Sequence, residues 1–411
     1  MQVRRLTRRV GNEIVGVPLL GEAQSRRPGG QEAASTALVL CLALIVAVVF
    51  IATNVWSIPR INPDPQIGGD ASQYISLTRG NFDSVPSPFR FRVLVPFLAA
   101  LLPFSPGHSL MAITYSSLAC LFVVLVWTSY KLNGDVTASM LGALMIFSSR
   151  WFLYNFQNPY LTDSFSLAAV GFALYALVIR SSPLFLASVV AGTLARETVL
   201  LFSCTWMANG RWRSTAIISA CALLAYVIPR IVITKDVSPI EYFSTAITKY
   251  GLIADPSNFL AQSAFSWGYV FLFALAGFAF FADAQKSKLL AASLILLITA
   301  LASCLVAVDF GRMFEVLGPV FALSSAQFIH ALRKVSARAP MIMLMLLVMV
   351  VIQCVTLVPN AILPEQPPRL FRWAMEGAGL AITGFTYISI RTSSQFRLWS
   401  AEKAASVPSA P

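Results

Sequence analysis

Residues 68–103 form a polar stretch whose side chains could do chemistry at a membrane surface. The stretch follows the first strongly apolar segment of the chain and runs into another that Pro96 and Pro103 interrupt. Its charged side chains are Asp70, Arg79, Asp83, Arg90 and Arg92. Because only 12% of all residues in the chain are charged, this concentration of charge indicates a functional site.

Asp70 is the leading candidate, since the two preceding glycines allow a turn that presents its carboxylate. The carboxylate could act as a general base that takes a proton from an attacking hydroxyl. It could instead bind a divalent cation such as Mg²⁺ or Mn²⁺. Tyr74, four residues later, is assigned a supporting role on the acceptor side. The structural alternative is that Asp70 caps a helix, because DASQ is typical of a helix start.

Arg90 and Arg92 are candidate phosphate ligands within the sequence SPFRFRVLVP. In an extended segment, side chains two residues apart point the same way, so both guanidinium groups could grip one phosphate. In a helical segment the two side chains would diverge. The alternative role is that of interfacial arginines reaching towards lipid headgroups.

Further charged residues lie at the ends or in the middle of later apolar segments: Asp163, Arg196, Glu197, Asp309 and Arg312. Ionisable residues in such segments usually pair with each other or serve function. We assign Arg312 to the donor phosphate and the others to support of the site. Each has a structural alternative: Asp163 as a helix-start acid, and Arg196–Glu197 and Asp309–Arg312 as internal ion pairs.

The composition predicts an all-α polytopic membrane protein. Hydrophobic residues make up 57% of the 411 residues, and the mean hydropathy is +0.72. Many apolar runs approach the 20 residues that a membrane-crossing helix needs. The net charge of +12 fits the positive bias of cytoplasmic loops. Because the basic residues are scattered between apolar segments, nucleic-acid binding is not expected.

The order of segments predicts one membrane domain, residues 35–391, with about ten crossings. Residues 1–34 read as a basic, disordered cytoplasmic arm and residues 392–411 as a disordered cytoplasmic tail. Outer loops are expected at 58–107 and 234–264. The predicted spans are Ala37–Trp56, 108–130, 135–149, 161–179, 214–233, 265–282, 288–308, 313–331, 341–359 and 371–390.

Residues 183–208 are ambiguous, because Arg196 and Glu197 lie in the middle of an apolar segment. A single crossing would place most later basic residues outside. A hairpin of two short helices keeps them inside, so the positive-inside rule favours the hairpin. With that topology the candidate residues all converge on the outer face, and the chain is expected in a bacterial inner membrane.

In layout and short motifs the chain resembles polytopic glycosyltransferases of the GT-C type. The resemblance rests on the loop Asp before a tyrosine, on PFRFR, and on three later motifs. These motifs are NPYLTDS at 158–164, ARET at 195–198 and DFGR at 309–312. Unlike many members, the chain has no second acid beside Asp70 and ends soon after its last span.

The resemblance implies a polyprenyl-phosphate-linked sugar donor and transfer to a glycan, lipid or protein acceptor of the cell envelope. It implies Asp70 as base or metal ligand, and Arg90, Arg92 or Arg312 as ligands of the leaving phosphate. The main alternative is a transporter or flippase for a lipid-linked or anionic substrate. Acyl- or phosphotransfer and a non-catalytic assembly role are further alternatives.

Overall fold

The computed structural model describes residues 29–55, 69–233, 256–257, 269–281, 283–305, 310–357 and 369–393. These residues are helical or lie in turns between helices, with no strand among them. The all-α prediction is therefore confirmed for this part of the chain. Asp309 and nearly all of the predicted outer loop 234–264 lie outside the described residues.

Helices lie within or overlap every predicted span. The first half of the chain contains α1 Gly29–Val55, α2 Asp70–Thr78, α3 Leu94–Ala100, α4 Pro106–Asn133, α5 Val136–Phe147, α6 Arg150–Gln157, α7 Asp163–Ile179 and α8 Ser182–Ala195. The second half contains α9 Trp212–Val232, α10 Tyr269–Phe278, α11 Asp283–Cys304, α12 Phe310–Phe314, α13 Gly318–Val335, α14 Ala339–Leu357 and α15 Arg369–Arg391. Segments of 3₁₀ helix occur at Phe82–Ser84, Phe89–Phe91, Glu197–Asn209 and Glu315–Leu317.

The first helix begins within the range predicted for the basic arm. The arm was predicted for residues 1–34, and α1 begins at Gly29. The chain divides into two compact units, Met1–Leu42 and Ala43–Pro411. In the first unit the structure describes only residues 29–42, and the second unit contains the candidate site.

Four of the described helices are long and apolar enough to cross a membrane: Thr36–Thr53, Pro106–Asn133, Trp212–Val232 and Gln285–Cys304. Large apolar side chains on α9 are exposed, among them Ile217, Ile231 and Val232, whose exposed fractions are 61%, 69% and 75%. Such side chains suit a helix that faces lipid rather than water. These helices fit an integral membrane protein, and the count of about ten crossings stays a prediction.

Small residues allow close helix crossings in the second unit. Helix α13 packs extensively against α5 and α10. A Cβ added at Gly277 of α10 would lie 1.9 Å from the carbonyl oxygen of Ser324 on α13. Because only glycine fits there, the two backbones approach closely, as small residues permit in membrane bundles.

The segment that carries Arg196 folds back on itself. Helix α8 ends at Arg196, whose backbone is extended (φ −158°, ψ 125°), and the 3₁₀ segment Glu197–Asn209 follows. The ring of Phe185, near the start of α8, lies 4.8 Å from the ring of Trp206, near the end of the 3₁₀ segment. The two arms therefore lie side by side, and the bend places Arg196 and Glu197 at its tip.

Asp135 ties the start of α5 to the end of α13. Its Oδ1 accepts a hydrogen bond from the Ala138 backbone N–H at 3.1 Å, which caps α5. The side chain also pairs with Arg333 and lies 3.3 Å from Nδ1 of His330. Burial acts to raise the pKa of Asp135, but the hydrogen bonds from His330 and Ala138 and the charge of Arg333 together lower it below its ordinary value.

We expect Asp135 to stabilise the folded protein in a pH-dependent way. Because its folded pKa is depressed, the stabilisation is present above the unfolded pKa of about 4 and is lost as the pH falls through the folded pKa. Asp135→Asn should cost about 0–1 kcal/mol at pH 7, because asparagine caps a helix about as well as aspartate and only the partly exposed ion pair is lost. Thermal unfolding of the detergent-solubilised protein, followed from pH 7 down to 3, should show a flatter pH dependence for this variant than for the wild type. Parallel curves for Asp135→Asn and wild type would contradict the assignment.

Candidate functional site

Asp70 lies at the first position of α2, where its carboxylate bonds to Arg312 rather than capping the helix. The N-cap position of α2 is Gly69. Its φ is +69°, a backbone conformation that glycine adopts more easily than other residues. Oδ2 of Asp70 accepts a hydrogen bond from Nη1 of Arg312 at 2.9 Å. The side chain of Asp70 remains 34% exposed. Asp70 is thus a carboxylate that is positioned by an arginine and still reachable from outside.

Asp163 is the buried centre of the same group of charges. It begins α7, as predicted, and its side chain is 0% exposed. Oδ2 of Asp163 accepts a hydrogen bond from Nε of Arg312 at 2.9 Å and forms an ion pair with its Nη2 at 2.7 Å. Arg196 pairs with Oδ1 through its Nη1 and donates its Nη2 to Sδ of Met313 at 3.3 Å. One buried carboxylate therefore holds two arginines that come from distant parts of the sequence.

Glu197 and Arg92 form a second, partly buried pair beside the first. Nε and Nη2 of Arg92 donate to the two carboxylate oxygens of Glu197 at 3.0 and 2.7 Å, a fork arrangement. Nη1 of Arg92 donates to Oη of Tyr74 at 2.7 Å. The hydroxyl of Thr162 lies 3.4 Å from the same Tyr74 oxygen. Tyr74 therefore joins α2 to both the Arg92 segment and the start of α7.

The group around Asp163 and the pair of Glu197 and Arg92 form one cluster, because residues of one are close in sequence to residues of the other. Asp70 and Tyr74 share α2, Thr162 precedes Asp163, and Arg196 precedes Glu197. We call the set the ion-pair cluster: Asp70, Tyr74, Arg92, Asp163, Arg196, Glu197 and Arg312. Its three carboxylates balance its three arginines. The charged groups are thus held by one another, which favours a rigid arrangement.

Arg92 and Arg312 are permanent cations in this cluster. Burial acts to lower the pKa of Arg92, but the charge of Glu197 raises it well above its ordinary value. Burial acts in the same direction on Arg312, and the charges of Asp163 and Asp70 raise its pKa above the ordinary value. Both arginines are already paired with carboxylates, so a phosphate that reaches them has to share or displace those partners.

Of the two conformations considered around Arg90, extended and helical, the structure has a helical one. Residues Phe89–Phe91 form a 3₁₀ turn, because the Arg92 backbone N–H bonds to the carbonyl oxygen of Phe89 at 3.0 Å. Nε of Arg90 donates to the carbonyl oxygen of Val85 at 2.7 Å, whereas Arg92 reaches Glu197. The two guanidinium groups therefore take different partners, and the joint grip on one phosphate does not occur in this geometry.

The predicted internal pair between Arg196 and Glu197 is replaced by two pairs with other elements. Because the backbone is extended at Arg196, the two neighbouring side chains leave the bend in different directions. Arg196 reaches Asp163 and Glu197 reaches Arg92. The bend in the hairpin is therefore what connects the two halves of the ion-pair cluster.

Glu315 is a buried acid near the site that the sequence interpretation missed. It is 1% exposed and accepts a hydrogen bond from the side-chain amide of Asn155 on α6. Its Oε2 is buried and makes no hydrogen bond to the described residues. The signal in the sequence was a lone acid in MFEVLGPV, at the start of an apolar helix.

An apolar groove adjoins the ion-pair cluster. It consists of two adjoining cavities of about 450 and 790 Å³, which share Val93, Leu194, Ile228 and Pro229. Val93 follows Arg92 in the chain, and Leu194 lies two residues before Arg196. The walls come from α2, α3, α8 and α9 and are almost wholly apolar. The groove can accept a hydrocarbon chain but offers few polar groups to a soluble ligand.

Within the described ranges, no group of three His, Cys, Asp or Glu side chains is arranged to hold a metal ion. Oδ2 of Asp70, the predicted metal ligand, is instead held by Arg312. A divalent cation at Asp70 therefore stays a prediction that needs ligands beyond those the cluster supplies.

No protein-family model matches this chain, and no curated protein matches it in sequence. The function therefore has to follow from the chemistry of the site.

Proposed function

We propose that this chain is a membrane-embedded glycosyltransferase of GT-C architecture with a polyprenyl-phosphate-linked sugar as its donor. The observation that carries the proposal is the position of Asp70. It is a partly exposed carboxylate, fixed by Arg312, at the edge of a buried ion-pair cluster that adjoins an apolar groove. A lipid-linked sugar needs that combination of a reactive polar group and a place for a long hydrocarbon chain.

In the proposed reaction, a hydroxyl of the acceptor attacks the anomeric carbon of the donor sugar. The bond between that carbon and the phosphate oxygen breaks, and its electron pair leaves with the polyprenyl phosphate. Asp70 takes the proton of the attacking hydroxyl as general base. Arg312 orients Asp70, and Asp163 holds Arg312 in place through a hydrogen bond and an ion pair.

The acceptor is proposed to be a glycan, lipid or protein of the cell envelope. The site is proposed to face outward from a bacterial inner membrane, with both termini in the cytoplasm and about ten crossings. This orientation follows from the positive-inside rule and from the basic residues at the opposite helix ends, such as Lys131, Arg333 and Arg338. A divalent cation could assist at Asp70, and chelation of the assay medium tests that point.

A transporter or flippase is the second candidate, because one observation favours it. The helical segment is interrupted at Arg196, where buried charges meet, and transporters often bind substrates at such interrupted helices. In this chain the interruption is occupied by ion pairs within the protein. The two functions differ in whether the donor is cleaved.

The deciding experiment uses the purified full chain in vesicles with a polyprenyl-phosphate sugar that is labelled in the sugar. We expect the label to move to an envelope acceptor fraction while polyprenyl phosphate is released in equal amount. Protein-free vesicles are the control for spontaneous hydrolysis. Movement of the intact labelled lipid across the bilayer, without cleavage, would instead establish the flippase function.

A further inference from the structure

Arg230 lies near the end of α9, where its guanidinium group contacts two aromatic rings and one backbone carbonyl group. Its Nη1 donates to the carbonyl oxygen of Tyr226 at 2.8 Å. The guanidinium carbon lies 3.6 Å from the ring centroid of Tyr226 and 4.7 Å from that of Phe91. Both rings attract a cation through their faces. The side chain is therefore held in one place before any ligand arrives.

Among the described residues, Arg230 makes no ion pair with a carboxylate. The three arginines of the ion-pair cluster differ, since each of them is paired. Glu197 is close enough for its charge to act on Arg230, but its two oxygens already accept hydrogen bonds from Arg92. The positive charge of Arg92 acts on Arg230 as well and opposes that of Glu197. Arg230 thus presents a positive charge that the described part of the chain leaves without a direct counter-ion.

Arg230 directly follows two residues that line the apolar groove. Ile228 and Pro229, its neighbours on α9, line both cavities, and Val232 and Ile233 line the smaller one. From Cys221 to Ile233 the groove follows α9 for about 18 Å, at the helical rise of about 1.5 Å per residue. On the other side, Phe91 lies two residues before Val93, which lines both cavities.

The groove is open on the side where lipid chains would be. Leu224 and Ile228 on its wall are 56% and 52% exposed, and α9 is one of the long apolar helices. A hydrocarbon chain can therefore enter from the side and replace lipid contacts with protein contacts. A free phosphate would make no use of this wall, and an uncharged lipid would leave Arg230 without a counter-ion.

We propose that Arg230 binds the phosphate of a long-chain lipid whose hydrocarbon lies in the groove between α8 and α9. This inference rests on the proposed function in taking the lipid to be the polyprenyl phosphate part of the donor. It gives the headgroup a partner outside the ion-pair cluster, so that Arg92 and Arg312 keep their carboxylates. Binding of the lipid and chemistry at Asp70 then depend on different residues.

The test is the affinity of the purified full chain, in neutral detergent, for polyprenyl phosphate, polyprenol and inorganic phosphate. Arg230→Gln should weaken polyprenyl phosphate binding at least about tenfold, because a charge-assisted hydrogen bond is lost, and should leave polyprenol binding unchanged. Ala187→Trp, which fills the groove wall on α8, should weaken the binding of both lipids. The matched controls are Arg213→Gln and Ala220→Trp, which alter exposed residues outside the groove and should bind as the wild type does.

Unchanged binding of polyprenyl phosphate to both Arg230→Gln and Ala187→Trp would overturn the inference. Equal affinity for inorganic phosphate, or equal competition by phosphatidylglycerol, would also overturn it, by showing a general anion or lipid site. If Arg230→Gln fails to fold, the Ala187→Trp and Ala220→Trp pair decides. Lipid binding that follows these expectations without any sugar transfer would support the groove assignment and contradict the glycosyltransferase proposal.

Discussion

Replacing Asp70 with asparagine is expected to lower the rate of sugar transfer by about 10²–10⁴-fold, the range for loss of a general base. Asparagine has nearly the same shape, and its oxygen can still accept the hydrogen bond from Arg312 that holds Asp70 at 2.9 Å. The folded structure should therefore survive while the proton acceptor is lost. The measurement is the initial rate of polyprenyl phosphate release from the labelled donor, together with the thermal midpoint of the variant.

Asp83→Asn is the matched control for that variant. Asp83 lies in the same polar stretch, residues 68–103. It is exposed and belongs to the short 3₁₀ segment Phe82–Ser84. Its replacement should leave both the rate and the thermal midpoint within experimental error of the wild type. Wild-type transfer by Asp70→Asn would remove Asp70 as the base, whatever the outcome of lipid-binding measurements at Arg230.

Replacing Asp163 with asparagine is expected to destabilise the folded protein by about 3–5 kcal/mol, since two buried arginines lose their shared carboxylate. Asp163 is fully buried, and both Arg196 and Arg312 bond to it. An uncompensated buried charge costs far more than the loss of an exposed ion pair, which is worth about 0–1 kcal/mol. The measurement is the thermal unfolding of Asp163→Asn and wild type in the same detergent.

A double-mutant cycle makes the second expectation specific to the ion-pair cluster. Adding Arg196→Gln to Asp163→Asn should cost much less than Arg196→Gln costs alone, because the charge it removes no longer has a partner. Additive effects would show that Asp163 and Arg196 are not coupled. A loss below about 1 kcal/mol for Asp163→Asn would show that the pairs contribute no more than exposed ones do.

Local sequence was sufficient to predict the helices. A span of apolar residues near 20 long has to satisfy its own backbone hydrogen bonds in lipid, so length and hydropathy indicate a helix without knowledge of its neighbours. The predicted 108–130 corresponds to Pro106–Asn133, and 341–359 to Ala339–Leu357. The bend at Arg196 was indicated only by the positive-inside rule. A single crossing there would have placed most of the later basic residues outside the membrane.

Part of the candidate site could also be predicted from residue type. Charged residues are rare in this chain, so those within apolar segments had to be paired or functional. That reasoning named every member of the ion-pair cluster, including Tyr74. It paired Arg196 with Glu197, whereas each pairs with another element, because residue type does not say which distant segment lies opposite. Arg312 and Asp70 are 242 positions apart, and only the folded structure brings their side chains together.

Glu315 and Arg230 were missed for the same reason. Each is a single charge in an apolar stretch, and their roles depend on Asn155, Phe91 and Tyr226, which lie on other turns or other elements. At Arg90 and Arg92 the undecided point was the local backbone conformation, extended or helical. A 3₁₀ turn at Phe89–Phe91 separates two side chains that an extended segment would have aligned.

The sequence by itself determined that the described part of the chain is helical, with helices long and apolar enough to cross a membrane, and that it holds a small set of charges within apolar segments, because hydrophobic length and the cost of burying charge are local properties. The tertiary structure alone decided which arginine meets which carboxylate, and that an apolar groove is lined by the two residues that precede Arg230. Ion pairing and groove walls depend on distances between segments far apart in the chain. Those distances are set by helix packing, which no short stretch of sequence contains.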